Sequence, residues 1–74
     1  MSHVSIPRIK TIIRNLIEET RGLFGLTIKI NKIDASERKV TVTGKYESFF
    51  EEGTFTIILD KRYNIVKFEA KPKS

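Results

Sequence analysis

The chain has 74 residues, which is enough for one domain, and its core must be efficient because a chain of this size buries only about 60% of its surface. It has no cysteine, which excludes disulfides and thiolate chemistry, and no apolar run approaches the roughly 20 residues that cross a bilayer. Fourteen basic and nine acidic residues give a net charge of +5, which favours anionic partners. We therefore expect one cytoplasmic domain over residues 1–74. Its high lysine and glutamate content is typical of thermostable proteins, although an AT-rich genome produces much of the same bias.

The first element is predicted to be an amphipathic helix over residues 6–21. Ser5 is a suitable N-cap, and Gly22 can take the left-handed conformation that ends a helix. The apolar residues follow one helical stripe, at Ile6, Ile9, Ile12, Ile13, Leu16 and Ile17.

After Gly25 the hydrophobic period changes to two, which predicts β-strands with one apolar face each. Ile33 breaks the alternation, so we expect a β-bulge near Asn31 and Lys32. The predicted fold is α+β, with the N-terminal helix packed on one face of a four-stranded antiparallel meander. The strands are expected at about residues 26–33, 39–50, 54–60 and 65–70, followed by a disordered tail at 71–74.

The adjacent Phe49 and Phe50 raise the question of register, because successive side chains on a strand point to opposite faces. Pairing Phe50 with Phe55 across a loop at 51–54 places Phe50 in the core and Phe49 on the outer sheet face. A register that differs by one residue instead pairs Phe49 with Phe55, and it turns the valines of the second strand to solvent unless a bulge intervenes. The first register also pairs Ser48 with Ile57, Tyr46 with Leu59 and Lys45 with Asp60.

The last hairpin is predicted to pair Ile57 with Phe68 and Leu59 with Val66. Its loop is then 61–64, in which Asn64 can take a left-handed turn position.

An apolar patch is predicted on the outer face, where Phe49 would lie near Ile58 and Ile65, with Tyr63 at the rim. An uncovered aromatic beside two isoleucines indicates a surface for homodimerisation or for another protein. The alternative is that scattered apolar residues on a surface need no partner, with Phe49 sheltering against Tyr63.

A second hypothesis is sequence-independent binding of nucleic acid or another polyanion, with strong salt dependence. The same lysine- and threonine-rich face is also what a solvated sheet looks like, and it lacks interleaved aromatics for base stacking. The candidate residues are Lys29, Lys45 and Lys67 on the sheet, Arg38 and Lys39 at its rim, and Arg8, Lys10 and Arg14 on the helix.

Nothing in the sequence indicates catalysis. His3 is the only histidine, and it has no second ligand at a telling spacing. The pairs Glu18-Glu19 and Glu51-Glu52 are interpreted as solvated surface. We expect no enzyme activity, no metal or other cofactor, and no small-molecule substrate.

Two segments carry a resemblance to a known family, EETRGLFG at the helix end and GTFTIILDKRYNIVKF in the last hairpin. With the order of helix, glycine and four-strand meander, the chain resembles the small accessory domain of the gas vesicle protein O family, and it is similar to PepSY-type modules. The resemblance implies an assembly accessory protein without enzymatic activity. The tryptophan-bearing strand and the arginine-rich tail associated with that family are absent.

Overall fold

A computed structural model describes residues 5–73, so His3 and Ser74 lie outside the described residues. The chain forms one helix and one four-stranded sheet in the strand order β1-β2-β3-β4, with every neighbouring pair antiparallel. This confirms the predicted α+β meander. The elements are α1 (Ile6–Arg21), β1 (Thr27–Ala35), β2 (Lys39–Glu47), β3 (Glu52–Asp60) and β4 (Ile65–Pro72).

Helix α1 has the predicted bounds. Ile9, Ile13 and Ile17 are fully buried against the sheet, as expected for one apolar stripe. The helix ends at Gly22, which has φ 67° and ψ 34° and donates its N–H to the Glu18 carbonyl. Ser5 occupies the N-cap position, but its hydroxyl makes no capping hydrogen bond.

The core lies between α1 and one face of the sheet. The alternation in the sequence predicts its buried residues, but it also places Phe50 and Val66 there, and these are 73% and 61% exposed. Its sheet side is formed by Leu26, Ile28, Val42, Tyr46, Phe55, Ile57 and Leu59, all at most 9% exposed.

The predicted pairing of β2 with β3 is wrong. Phe55 lies opposite Gly44 instead of Phe50, and Tyr46 lies opposite Gly53. Each large ring thus packs over a glycine: a Cβ on Gly44 would lie 2.8 Å from Cζ of Phe55, and one on Gly53 would lie 2.8 Å from Cζ of Tyr46. Two rings directly opposite large side chains would overfill the layer beneath the helix. Because the register moves by an even number of residues, the core faces stay as predicted.

The loop between β2 and β3 is consequently Ser48 to Glu51 and not residues 51–54. The Ser48 N–H donates to the Glu51 carbonyl at 2.8 Å, and the Ser48 hydroxyl oxygen accepts the N–H groups of Phe50 at 3.2 Å and Glu51 at 3.1 Å. Phe50 is therefore not a core residue, and Phe49 is not on a strand.

The other two hairpins agree more closely with expectation. The bulge in β1 falls between Ile30 and Lys32, and Ile57 pairs with Phe68 as predicted. A register shift then places Ile65, and not Val66, opposite Leu59.

The β3–β4 turn is built on Asp60. Its carboxylate accepts the N–H of Arg62 at 2.8 Å and of Asn64 at 2.9 Å. The hydrogen bond from the Asn64 backbone contributes most to holding the pKa of the Asp60 carboxyl below its usual value. The left-handed position belongs to Tyr63, with φ 64°, and not to Asn64.

The end of the chain differs from the predicted disordered tail. Lys71 pairs with Thr54, Pro72 pairs with Gly53, and the Lys73 N–H donates to the Glu52 carbonyl at 2.7 Å. β3 begins two residues earlier than expected, so it offers β4 additional partners. Pro72 is tolerated because β4 is an edge strand.

Candidate functional site: two chemically opposite ends

The molecule has two distinct ends along its 39 Å long axis. At one end the helix terminus reaches the β2–β3 loop through Arg21 and Glu51, and at the other the helix start reaches the β3–β4 turn through Ser5 and Tyr63. We call the first the aromatic end, formed by residues 18–26, 47–52 and 72–73. We call the second the basic end, formed by residues 6–10, 34–39 and 60–66.

Three phenylalanines are exposed at the aromatic end. Phe24 is 69% exposed, Phe49 98% and Phe50 73%. Phe24 and Phe50 meet edge to face, with ring centroids 6.0 Å apart at 62°, a favoured geometry for aromatic pairs. At about 200 Å² per ring, the exposed rings present roughly 500 Å², which matches the largest apolar patches of monomeric proteins.

A hydrogen-bonded network lies beside these rings. Arg21 donates Nε and Nη2 to the two carboxylate oxygens of Glu51, each at 2.8 Å, and the Tyr46 hydroxyl donates to Glu51 Oε2 at 2.6 Å. The bonds from Arg21 and then Tyr46 lower the pKa of Glu51 to about 2, and the bond to Glu51 raises the pKa of Arg21. Burial, followed by the bond to Glu51, raises the pKa of Tyr46 to about 12.

This network fixes geometry and does not provide an acid or a base near neutral pH. Both oxygens of Glu51 are occupied, and a carboxyl with a pKa of about 2 stays ionised. The interpretation of Glu51 as solvated surface is wrong. The helix ends close to the β2–β3 loop, so Arg21 and Tyr46 both donate hydrogen bonds to the Glu51 carboxylate. The network ties α1 to the β2–β3 loop and so holds Phe50 beside Phe24.

The aromatic end is acidic although the chain is basic. Its side chains include five carboxylates against two cations, a net charge of −3. The carboxylates are Glu18, Glu19, Glu47, Glu51 and Glu52, and the cations are Arg21 and Lys73.

The basic end has the opposite character. The Arg8 guanidinium lies over the Tyr63 ring, 4.5 Å from its centroid, a cation–π contact. Six cations against three carboxylates give a net charge of +3. The cations are Arg8, Lys10, Arg38, Lys39, Lys61 and Arg62, and the carboxylates are Asp34, Glu37 and Asp60. Aliphatic surface is also exposed here, at Ile6 (47%), Ile65 (46%) and Val66 (61%).

The four residues of the predicted apolar patch are not brought together. Phe49 lies in the loop at the aromatic end, while Tyr63 and Ile65 lie at the basic end. Ile58 alone remains on the outer sheet face, between Thr41 and Lys67. The error follows from the β2–β3 register, which removes Phe49 from the sheet. Phe24 and Phe50 were missed as exposed aromatics, although Gly22 and Gly25 on either side of Phe24 indicate a loop.

Three lysines of the outer face lie in one row across the sheet, with a threonine on β3 between the second and the third. Lys29 lies directly opposite Lys45, Lys45 opposite Thr54, and Thr54 opposite Lys71. Lys71 is paired with Glu69 at 3.3 Å, whereas Lys29 and Lys45 form no ion pair among residues 5–73. Of the other predicted cations, Lys67 shares this face. Arg14 is on the helix, and Arg8, Lys10, Arg38 and Lys39 belong to the basic end.

Comparison of the chain with protein-family models, with curated proteins and with solved structures gives no match. The resemblance to the gas vesicle protein O family and to PepSY-type modules therefore stays a prediction. The helix described within residues 5–73 has only 16 residues and a charged face, so it does not meet the length and apolarity that crossing a membrane requires.

Proposed function

We propose that the protein is a non-enzymatic interaction module that docks a protein partner through its aromatic end. The observation that carries the proposal is the group of three exposed phenylalanines beside an internally paired ion network. The largest exposed apolar patch of a monomeric protein is often functional. The proposed docking surface is therefore the aromatic end and not the outer sheet face, where the sequence had predicted it.

The charge of the aromatic end defines the chemistry of the partner. A surface with a net charge of −3 repels nucleic acid and anionic membranes, so the exposed rings are poorly suited to stacking on bases. The complementary partner is a protein surface with aliphatic side chains flanked by lysine or arginine.

Burial of the three rings supplies enough free energy for a modest affinity. At about 25 cal/mol per Å², roughly 500 Å² contributes about 12 kcal/mol, against association costs of about 4–15 kcal/mol. The two hydrogen bonds from Arg21 and the Ser48 turn restrain the loop before binding, which reduces the entropy lost on docking.

The proposal is tested by selecting displayed random peptides on the immobilised protein and measuring the affinity of the selected peptides. We expect peptides rich in aliphatic and basic residues, with binding weakened about tenfold or more by Phe49→Ser with Phe50→Ser, the loss typical of anchor side chains. Ile58→Thr is the matched control, because it alters the outer face that was first predicted. Peptides that bind the phenylalanine variant unchanged, or that lose affinity with Ile58→Thr, contradict docking at the aromatic end.

A second candidate function, sequence-independent polyanion binding, is favoured by the juxtaposition of Lys29 and Lys45. Like charges directly opposite on neighbouring strands destabilise a sheet, and a phosphate between them relieves the repulsion. We expect single- and double-stranded oligonucleotides to bind at about 50 mM salt, and Lys29→Gln with Lys45→Gln to reduce the log–log salt slope by about 1–2. Lys61→Gln at the basic end is the control. Fluorescence anisotropy without any change at micromolar protein and low salt rules this function out.

A further inference from the structure

All exposed large hydrophobic side chains in residues 5–73 belong to one end of the molecule or the other. The aromatic end carries Phe24, Phe49 and Phe50, and the basic end carries Ile6, Ile65 and Val66. Each end therefore exposes apolar side chains that a partner would cover on binding.

The charges divide in the same way. The aromatic end has a net charge of −3 and the basic end +3, and the two ends are separated along the 39 Å axis. At physiological ionic strength the screening length is about 8 Å, so the two ends of one molecule have little influence on each other. The ends of two different molecules can make contact directly.

We propose that the partner of the aromatic end is the basic end of a second copy of this chain, an inference that rests on the docking function proposed above. The phenylalanines of one copy cover the aliphatic side chains of the next, and the carboxylates around the rings face the cations around Tyr63. A contact between two different surfaces is heterologous, so each added copy leaves one aromatic and one basic end free. The product is an open linear chain and not a closed dimer.

Like charges disfavour contacts between two identical surfaces. Two aromatic ends brought together would oppose −3 with −3, and two basic ends +3 with +3. Between the ends, six cations and one carboxylate leave a net charge of +5, mostly on the outer sheet face, so copies side by side repel each other. These charges are Arg14, Lys29, Lys32, Lys45, Lys67, Lys71 and Glu69.

The association is expected to be weak. Perpendicular to the long axis the backbone extends only 19 × 18 Å. The area of this cross-section is smaller than the roughly 800 Å² that each partner buries in a standard interface. We expect dissociation constants of about 10–1000 µM, weakening as salt screens the paired charges.

Complementation between two single-end variants tests the proposal. The first variant, Phe49→Ser with Phe50→Ser, loses the aromatic end, and the second, Lys61→Glu with Val66→Ser, alters the basic end. In sedimentation velocity, the wild type is expected to show a weight-average sedimentation coefficient that keeps rising with concentration. Each variant alone is expected to stay a monomer, and an equimolar mixture is expected to form a dimer that does not grow further.

Each other result overturns the proposal. A basic-end variant that still associates alone indicates that the aromatic end binds a surface other than the basic end. An aromatic-end variant that associates alone indicates a contact that does not need the phenylalanines. A wild type that stays monomeric up to about millimolar concentration excludes self-association at the expected strength. If the wild type stays monomeric but selected peptides still require Phe49 and Phe50 for binding, the docking function remains supported and only self-association is excluded. If the wild type stays monomeric and peptide binding does not depend on Phe49 and Phe50, the docking function is excluded too.

Circular dichroism and thermal melting establish that the variants are folded. Should the double phenylalanine variant fail to fold, Phe49→Lys replaces it, because a side chain that is 98% exposed contributes little to the folded state. We expect Phe49→Lys alone to stay a monomer, and an equimolar mixture with the basic-end variant to form a dimer that does not grow further.

Discussion

Gly44→Ala is expected to lower the free energy of unfolding by about 3 kcal/mol or more, at the upper end of the range for overpacked cores. The new Cβ would collide with the Lys29 carbonyl oxygen, and it would lie 2.8 Å from Cζ of Phe55 and 3.0 Å from Cα of Ile30. Two of these atoms belong to the backbone of β1, which the sheet ladder holds in place, so relief requires the strands to separate. Chemical denaturation monitored by circular dichroism measures the loss.

Gly25→Ala is the matched control for this prediction. Gly25 has φ 67° but nothing within 4 Å of an added Cβ, so its substitution tests backbone strain alone, at about 1–2 kcal/mol. A Gly44→Ala protein as stable as the wild type would contradict the close packing of Gly44 against β1 and the Phe55 ring.

Tyr46→Ala is expected to cost about 3–5 kcal/mol of folding free energy, the range for removing a buried aromatic ring. The side chain is 1% exposed, its ring packs over Gly53, and its hydroxyl donates to Glu51. Tyr46→Phe keeps the ring and loses only the hydrogen bond, so we expect a cost of about 1–2 kcal/mol. Equal costs for the two variants would contradict ring packing as the dominant contribution.

The pH dependence of stability separates these roles further. The pKa of Tyr46 is raised in the folded protein to about 12 from an ordinary value of 10.0, so folding favours the protonated phenol. Its contribution is therefore complete below pH 10 and is lost as the pH rises through about 12. Tyr46→Phe has no phenol at this position, so we expect its free energy of unfolding to fall less than that of the wild type when denaturation is measured from pH 10 to 12. An identical dependence on pH in the two proteins would contradict the burial of the hydroxyl.

The sequence predicted the elements well because their signals are local. The bounds of α1 follow from its apolar stripe and from Gly22, and the bulge near Asn31 follows from the break in alternation. The β2–β3 register could not be obtained in the same way. A shift by an even number of residues leaves every side chain on its face, so the hydrophobic pattern fits both registers equally. The two registers differ in side-chain packing, since only the observed one places Phe55 over Gly44 and Tyr46 over Gly53. Such a fit depends on side-chain volumes in the folded sheet and not on the order of apolar and polar residues.

The candidate site depends on this register. Phe49 and Phe50 point out of the molecule only because the chain turns at Ser48, and Arg21 meets Glu51 only because the helix ends beside that loop. The contact between Arg21 and Glu51 cannot be predicted from sequence spacing, because the two residues are 30 positions apart.

By itself, the sequence determined the helix, the apolar faces of the first three strands and the net charge of +5, because periodicity and composition do not depend on how strands pair. The tertiary structure alone decided that the exposed rings and most carboxylates gather at one end while the other end is basic. That separation arises because an antiparallel meander returns distant segments to the same end, and the pairing of strands selects which segments meet.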